Sequence, residues 1–341
     1  MTNKLPLLQT SLTSFLNNHP YSQGVILADE KVWQLYPHQF DFLDNLLNIK
    51  LFTIKGGESA KTIQQAERLW NEMLEAHIDK NALFINIGGG SISDIGAFVA
   101  ATYKRGIDYI NIPTTLLSMV DAAIGGKSAL NVHRLKNSIG LIVEAQSVIQ
   151  EPAFLHTLPH EELMSGFAEL VKYALIADAH LWNELKVLSH INIETLKPEW
   201  IARAADFKKS IVAIDLYDKG TRKILNFGHT IGHAFESFLL DKMPISHGHA
   251  VAFGMVSEAF LSYQQGILPE SDYLQIKQYI HNHYPTWPIA NTDFPKILEL
   301  CQNDKKSENQ TVKYMQLSRI GTYPIEKSIS EEINSYLCSL F

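Results

Sequence analysis

Residues 83–103 read LFINIGGGSISDIGAFVAATY. The apolar run from Leu83 to Ile87 leads into Gly88-Gly89-Gly90, and a helical pattern follows from about Ser93 to Tyr103. Glycine lets a backbone approach a phosphate closely, and a helix start supplies free N–H groups with a partial positive charge. The stretch predicts a strand, a tight turn and a helix. The match to GxGxxG is incomplete, because Ser93 stands at the position of the third glycine. A tight turn that binds no ligand would therefore explain the same glycines.

Similar apolar runs flank this stretch on both sides. Gly24 to Leu27, Ile49 to Ile54 and Tyr109 to Ile112 are short and end at Gly, Asp or Pro, which is typical of buried parallel strands. Between two of them, Ala60 to Ile78 has apolar residues at helical spacing. Alternating strands and helices predict an α/β domain with a doubly wound sheet.

The second half of the chain has a different pattern. Strand-like runs are scarce there until Lys313 to Leu317, and two prolines bracket a short connection between Gln150 and Pro159. We predict an α/β domain over residues 1–152 and a mainly α-helical domain over residues 153–341, with a site in the cleft between them. The predicted helices are Glu161 to Ala177, Pro198 to Ile214, Asn226 to Leu240, His249 to Tyr263 and Ser271 to Asn282.

Composition excludes several classes of protein. The 29 Lys and Arg against 36 Asp and Glu give a net charge of −7, without a basic block for nucleic acid. The two cysteines, Cys301 and Cys338, form no CxxC pair, which excludes a disulfide scaffold. Met1 to Pro20 lacks a signal-peptide pattern, and glycines and Asp94 interrupt the most apolar stretch. We expect a soluble cytoplasmic protein with no nucleic-acid or membrane partner.

The most suggestive cluster is RKILNFGHTIGHAFE at residues 222–236. His229 and His233 are four residues apart on a predicted helix, a spacing that suits two metal ligands or one ligand beside an acid–base group. His247 and His249 follow closely. Glu169 plus two of these histidines would make a zinc site with an open position, and spacing leaves open which two.

Two other groups of polar residues have competing interpretations. Glu169 and Lys172 share one helix face. They would form either an exposed ion pair or a buried pair, and a buried pair would need further partners, a metal or a functional role. Residues 113–137 combine Thr-Thr, Asp121, Gly-Gly-Lys and Lys-Asn, which would form an anion cradle or a solvated loop.

Taken in order, these motifs resemble one family. GGGSISDIGAFVAATYKRG, PTTLLSMVDAAIGGKSALN, GFAELVKY, RKILNFGHTIGHAFE and HGHAVAFGM are similar to 3-dehydroquinate synthases of the sugar-phosphate cyclase superfamily, over about Gly24 to Lys306. The resemblance implies a Rossmann-like NAD-binding domain, a helical metal-binding domain holding Zn²⁺ or Co²⁺, and a homodimer. It also implies conversion of 3-deoxy-D-arabino-heptulosonate 7-phosphate to 3-dehydroquinate and phosphate, with NAD regenerated in each turnover.

The resemblance also implies roles for individual residues. The metal ligands would be Glu169, His229 and His247, and His233 would transfer protons. Lys208 and Arg222 would bind the substrate carboxylate, and Asp121 and Lys172 the ring hydroxyls. The substrate phosphate would be held by Arg105, Lys127, Asn137, Asn226, Lys305 and Lys306. NAD would be bound by Asp29, Glu58, Lys61, Gly89, Gly90, Asp94, Thr114, Thr115, Lys136 and Thr157.

The chain departs from the family pattern at four of these motif positions. Ser93 replaces a glycine and would crowd the pyrophosphate turn, while Ala122 and Ala123 replace two serines and remove two hydroxyls. His249 replaces a glutamate beside the predicted ligand His247, which would change the surroundings of the metal.

Three alternatives compete with this activity. A cyclase acting on sedoheptulose 7-phosphate would not need two cations for a carboxylate, whereas this chain keeps Lys208 and Arg222. A metal-dependent polyol dehydrogenase would need no phosphate clamp, against which Lys127, Asn137 and Arg105 argue. A non-catalytic relative would not need a complete ligand set.

Overall fold

A computed structural model describes residues 5–133, 135–240, 242–286, 293–302 and 312–328. The strands are β1 (Gly24–Asp29), β2 (Ile49–Ile54), β3 (Leu83–Gly88), β4 (Asp108–Pro113), β5 (Lys127–Val132), β6 (Leu135–Ile142), β7 (Ser147–Val148), β8 (Lys313–Gln316) and β9 (Ile325–Ser328). The helices are α1 (Pro6–Asn18), α2 (Glu30–Leu35), α3 (Ile63–Glu75), α4 (Gly90–Thr102), α5 (His160–Ala177), α6 (Ala179–Leu185), α7 (Pro198–Ile214), α8 (His229–Leu239), α9 (His247–Gln264), α10 (Glu270–His283) and α11 (Phe294–Gln302).

The chain forms two compact units. Unit 1 contains the described residues up to Pro159 together with Lys208–Tyr217, and unit 2 contains the rest. The C-terminal part of α7 thus belongs to unit 1, where the Lys208 ammonium donates to Asp121 Oδ1 at 2.6 Å. A single boundary in the sequence, as predicted at residue 152, does not describe this return of the chain, because an amphipathic helix pattern does not indicate which core the helix joins.

Unit 1 is built on the predicted α/β pattern. Its five-stranded parallel sheet has the order β2-β1-β3-β4-β7, and α3 buries Ala66, Leu69 and Met73, as its apolar spacing predicts. The strand registers pair Asp29 with Ile54, and β3 runs in parallel register with both β1 and β4. The carboxyl ends of β1, β2, β3 and β4 therefore lie along one edge of the sheet, where ligands bind in open α/β sheets.

Unit 2 is mainly helical, and a two-stranded sheet of β8 and β9 completes it. The five predicted helices correspond to α5, α7, α8, α9 and α10 and agree with the predicted spans to within a few residues, whereas α6 and α11 were not predicted. The largest difference is at α8, which begins at His229 rather than Asn226, because Gly228 adopts a left-handed φ of 79° and ends a preceding 3-10 turn, Thr221–Asn226. None of the described helices combines the length and apolar composition that a bilayer span requires.

Several elements of unit 1 differ from the sequence-based expectation, and α1, α2 and β7 were not predicted. The hairpin of β5 and β6 was not predicted, because β6 is mostly exposed and lacks a clear apolar alternation. Helix α4 begins at Gly90 rather than Ser93, since the glycines themselves continue into the first helical turn.

Helices α8 and α9 approach each other backbone to backbone. A Cβ atom on Gly254 of α9 would lie 1.8 Å from the carbonyl oxygen of Gly228, and one on Gly232 of α8 would lie 2.7 Å from the carbonyl oxygen of Ala250. Only glycine fits at such separations. This close approach brings the start of α8 near the start of α9, where predicted metal ligands lie.

Replacing Gly254 with Ala is expected to destabilise unit 2. The added methyl group overlaps backbone atoms, which cannot move as a flexible side chain can, so the cost should reach about 3 kcal/mol and lower the melting temperature by roughly 10 °C. Thermal unfolding followed by circular dichroism measures it, with the exposed Ser237→Ala on α8 as the control. An unchanged melting temperature in Gly254→Ala would contradict the close packing.

Candidate active site

Several predicted NAD-binding residues lie just beyond the carboxyl edge of the sheet. Asp29 ends β1, and its carboxylate accepts hydrogen bonds from the N–H groups of Lys31 and Val32, which caps α2. A Cβ atom on Gly56, in the loop after β2, would lie 1.9 Å from Asp29 Oδ2. The absence of a side chain at Gly56 therefore allows this loop to pack against the end of β1. Glu58, two residues later, is exposed.

The glycine turn after β3 leaves the start of α4 open. Gly89 is the residue preceding the helix, and no side chain among the described residues caps it there. Cβ atoms on Gly89 and Gly90 would approach Thr115 and Ala122 to 3.0 and 2.9 Å. Ser93 is 4% exposed, and its hydroxyl donates weakly to the Gly89 carbonyl at 3.4 Å. Its side chain folds back on its own helix, contrary to the expectation that it would crowd the turn.

Lys61 and Asp94 form a buried ion pair beside this turn. Lys61 is 1% exposed, and its Nζ donates to Asp94 Oδ2 at 2.7 Å and also to Asn137 Oδ1. Burial raises the pKa of Asp94 to about 6, although the charge of Lys61 acts in the opposite direction. The Asp94 carboxylate therefore pairs with Lys61 and does not cap the start of α4.

A polar network extends from this pair into the β5–β6 hairpin. Asn131, which sequence analysis missed, donates from Nδ2 to Glu58 Oε2 at 2.9 Å, and its Oδ1 accepts from the N–H group of Asn137 at 2.9 Å. Asn137 adopts a φ of 51°. No local motif marks Asn131, since its role depends on the hairpin register.

The other residues predicted to bind NAD lie on several different elements. The Thr114 N–H donates to the Gly88 carbonyl at 3.0 Å, and the Thr115 hydroxyl bonds with Ser118 Oγ at 2.9 Å. The Thr157 hydroxyl bonds with that of Tyr36 at 3.0 Å. Lys136 is an exposed residue of β6.

Asp121 lies on a π-helical turn, Ser118–Ala122. Lys208 donates both to its carbonyl, at 2.7 Å, and to its carboxylate, at 2.6 Å. The end of the turn is tied to the sheet, because Asn111 Nδ2 of β4 donates to the Ala123 carbonyl at 3.0 Å. Asp121 is therefore held in one orientation from two sides.

The predicted phosphate-binding residues that the structure describes lie on several different elements. Lys127 begins β5 and is exposed, whereas Arg105 follows the 13-residue helix α4 at its C-terminal end. At 1.5 Å per residue, that places Arg105 roughly 18 Å along the helix from Gly90. Lys305 and Lys306 lie outside the described residues.

In unit 2, Glu169 and Lys172 of α5 form a fully buried pair. Their side chains are 0% and 1% exposed, and Lys172 Nζ contacts Glu169 Oε2. The buried interpretation of this spacing is confirmed. Burial would raise the pKa of Glu169, but the Lys172 ammonium and neighbouring imidazoles outweigh it and hold that pKa well below its usual range.

Two histidines face Glu169, and a third lies close to both of them. Nε2 of His229 and of His247 lie 3.4 and 3.3 Å from Glu169 Oε1. His233 lies one turn after His229, and one nitrogen from each of the three histidines falls within 4.8 Å of the others. The i, i+4 spacing on α8 thus brings His229 and His233 together, and α9 supplies His247 as its first residue.

Burial lowers the pKa of His229 to about 3. Its Nδ1 lies 3.2 Å from the Phe227 carbonyl, which leaves Nε2 as a lone-pair donor facing Glu169. A neutral imidazole with a free lone pair is what a metal ligand requires.

His247 has a second carboxylate neighbour, Glu236, which sequence analysis missed. Glu236 Oε2 lies 3.8 Å from His247 Nδ1. Burial lowers the pKa of His247, but Glu169 and Glu236 together outweigh burial and raise it to about 9. A glutamate three residues after His233 on the same helix is a signal that would have found this residue.

Arg222, Asn226 and His249 complete the predicted set. Arg222 and Asn226 belong to the 3-10 turn that precedes α8, and Arg222 is only 3% exposed. His249 bonds through Nδ1 with Ser246 Oγ, and its ring packs edge-to-face on Tyr284 with centroids 5.4 Å apart.

The fold is shared with solved cyclase structures. Similar ones include 2-deoxy-scyllo-inosose synthase complexed with carbaglucose-6-phosphate, NAD+ and Co2+ (TM-score 0.83, 23% identity, 98% of this chain and 94% of that chain). Another is 2-epi-5-epi-valiolone synthase from Streptomyces hygroscopicus with NAD+ and Zn2+ bound (TM-score 0.82, 25% identity, 94% and 91%). These similarities show the fold, which is that of enzymes solved with NAD+ and with Co2+ or Zn2+ bound.

Sequence comparisons narrow that class to one family. The N-terminal model of 3-dehydroquinate synthase matches residues 51–165, and the C-terminal model matches residues 166–307. The chain is 35% identical to the 3-dehydroquinate synthase of Parabacteroides distasonis over 95% of this chain and 93% of that protein. It is 37% identical to that of Desulforamulus reducens over 93% and 90%. The chain belongs to the 3-dehydroquinate synthase family.

Proposed function

We propose that this protein converts 3-deoxy-D-arabino-heptulosonate 7-phosphate to 3-dehydroquinate and phosphate. The observation that carries the proposal is the buried cluster of Glu169, His229 and His247, within a chain of which both halves match the 3-dehydroquinate synthase family. The substrate is a small sugar phosphate that also bears a carboxylate.

The residues of this cluster fit a divalent metal ion. Neither Glu169 oxygen has a hydrogen bond of normal geometry to another described residue, although both are buried. Two imidazole nitrogens face the same carboxylate, and a carboxylate with two imidazoles suits Zn²⁺ or Co²⁺. A bound cation would lower the pKa of a substrate alcohol and orient it. Glu169, His229 and His247 would hold it.

The turn after β3 fits the pyrophosphate of NAD. Gly89 and Gly90 leave the backbone N–H groups at the start of α4 accessible, which is the usual arrangement for a dinucleotide phosphate. NAD would accept a hydride and return it, so that none accumulates as NADH. Asp29, Glu58, Lys61, Asp94, Thr114, Thr115, Lys136 and Thr157 are proposed as its other partners.

The other proposed roles belong to the substrate. Arg222 and Lys208 would bind the carboxylate, for which a guanidinium fork is well suited. Asp121 and Lys172 would bind ring hydroxyls, and the imidazole of His233 would take up and return a proton. Arg105, Lys127, Asn137, Asn226, Lys305 and Lys306 remain the proposed phosphate ligands, and a homodimer is part of the same proposal.

The test follows phosphate and NADH together. The purified protein is supplied with 3-deoxy-D-arabino-heptulosonate 7-phosphate, a catalytic amount of NAD and Zn²⁺. Phosphate release without net NADH, with 3-dehydroquinate identified by mass spectrometry, is the expected result. Stoichiometric NADH without phosphate would mean a dehydrogenase, and activity only with sedoheptulose 7-phosphate would mean a different cyclase.

Metal binding is expected to release about one proton at pH 7.5. His247 has a pKa of about 9 in the metal-free protein, so it is protonated there and must lose that proton to bind a cation. Zinc affinity should rise about tenfold per pH unit up to pH 9 and then level off. Calorimetry in two buffers of different ionisation enthalpy measures the released proton, and equal heats in both buffers would contradict the expectation.

A further inference from the structure

A serine of α5 is hydrogen-bonded to the start of α9. Ser165 is 3% exposed, and its Oγ accepts a hydrogen bond from the Gly248 N–H at 3.1 Å. Gly248 is the second residue of α9 and directly follows the proposed metal ligand His247. The proposed reaction does not use Ser165, yet its hydroxyl is bonded to the backbone beside that ligand.

The sequence just before α9 does not cap the helix. The first N–H groups of a helix have no partner within the helix and are usually satisfied by the side chain that precedes it. At α9 that residue is Ser246, whose hydroxyl bonds with His249 Nδ1 and makes no capping hydrogen bond. Ser165 therefore supplies from α5 a bond that the local sequence does not make.

Helices α5 and α9 also meet backbone to backbone at this point. A Cβ atom on Gly248 would lie 2.0 Å from the carbonyl oxygen of Ser165 and 2.5 Å from its Cα atom. Both the side chain and the backbone of Ser165 thus contact the same residue of α9. The first turn of α9 is held at a fixed separation from α5 by this contact and by the hydrogen bond.

The same face of α5 carries the proposed carboxylate ligand. Ser165 and Glu169 are four residues apart on α5, which places them one turn and roughly 6 Å apart along the helix. Glu169 Oε1 lies 3.3 Å from His247 Nε2. One helix therefore provides the carboxylate and, a turn earlier, holds the backbone from which the imidazole projects.

We propose that Ser165 is a positioning residue, whose hydroxyl holds the first turn of α9 against α5 and so places His247 beside Glu169 for metal binding. This rests on the proposed metal site. Groups that orient a metal ligand usually change metal affinity by roughly 10-fold to 100-fold when they are replaced.

The test compares zinc dissociation constants, measured by competition with a chromophoric chelator. Ser165→Ala removes the hydroxyl, adds no atom to the close contact and leaves the Gly248 N–H without its acceptor. We expect its dissociation constant to rise about 10-fold above that of the wild type, at the lower end of that range because Ser165 acts through the backbone. The visible absorption of the Co²⁺-loaded protein should change as well, which a loss of stability alone would not cause.

Ser262 provides a matched control on α9. It is 0% exposed, and its Oγ accepts a hydrogen bond from the Leu317 N–H, also at 3.1 Å. It lies fifteen residues after His247, roughly 22 Å along the helix. Ser262→Ala should lower the melting temperature and leave zinc affinity within twofold.

Two results would overturn the positioning role of Ser165. One is an unchanged zinc affinity in Ser165→Ala, and the other is an equal loss of affinity in Ser165→Ala and Ser262→Ala. A wild-type protein that binds no zinc would overturn the metal site itself, and the positioning role with it.

Hydrogen exchange tests the bond directly. The Gly248 amide should be protected in the metal-free wild type, because Ser165 accepts its hydrogen before any cation binds. That protection should fall in Ser165→Ala and persist in Ser262→Ala. Protection that appears only after zinc is added, or that survives in Ser165→Ala, would contradict the proposal.

Discussion

Replacing His229 with Ala is expected to abolish zinc binding at stoichiometric concentrations and to lower turnover by at least about 10³-fold. His229 is buried, neutral and directed by Phe227 toward Glu169, so its Nε2 is the ligand atom best prepared before binding. Without it, Glu169 and His247 alone would have to hold the cation. Metal content of the dialysed protein and phosphate release measure the two effects.

The control for this variant is His38→Ala. His38 is 84% exposed and pairs only with the exposed Asp41 among the described residues. Its replacement should therefore change neither the metal content nor the rate of phosphate release. NAD binding should survive in His229→Ala, because the proposed NAD residues lie in unit 1. Turnover close to that of the wild type would contradict the ligand assignment.

Replacing Arg222 with Ala should reduce kcat/KM by about 10²-fold to 10⁴-fold, from the loss of two charge-assisted hydrogen bonds of roughly 1.5–3 kcal/mol each. Arg222 is 3% exposed, and a buried guanidinium is a strong partner for a planar carboxylate. The effect should fall on the substrate and not on NAD. Steady-state kinetics with each ligand varied separately measure it.

Arg222→Lys tests the geometry as well as the charge. Lysine keeps the positive charge but not the fork, so it should recover only part of the lost activity. Arg319→Ala, which removes an exposed arginine of unit 2, is the control for a change of net charge. Equal losses toward substrate and NAD in Arg222→Ala would contradict the carboxylate role.

The predictable part of the fold had strong local periodicity. The strand Ile49–Ile54 and the helix Pro198–Ile214 match the predicted bounds, because short apolar-rich runs and regular apolar spacing are local signals, although this strand lies at the sheet edge and is only partly buried. The β5–β6 hairpin was missed for the opposite reason. Its stability depends on pairing between strands, which a mostly exposed sequence does not show.

The candidate site likewise has a part that local spacing predicts and a part that it does not. The i, i+4 pair of His229 and His233 and the i, i+3 pair of Glu169 and Lys172 follow from helix geometry, and the structure contains both pairs. Their proximity could therefore be predicted from spacing. The family resemblance supplied the choice of His247, and spacing by itself did not.

The amino-acid sequence alone determined the α/β pattern, the helices and the kinds of side chain available to a metal and a phosphate, because these depend on neighbours within a few positions. Tertiary structure decided which of them meet. Asp94 pairs with Lys61, which lies 33 positions earlier in the chain, and Lys208 joins unit 1. Such contacts form between distant segments, and the burial that shifts their pKa values exists only once the chain has folded.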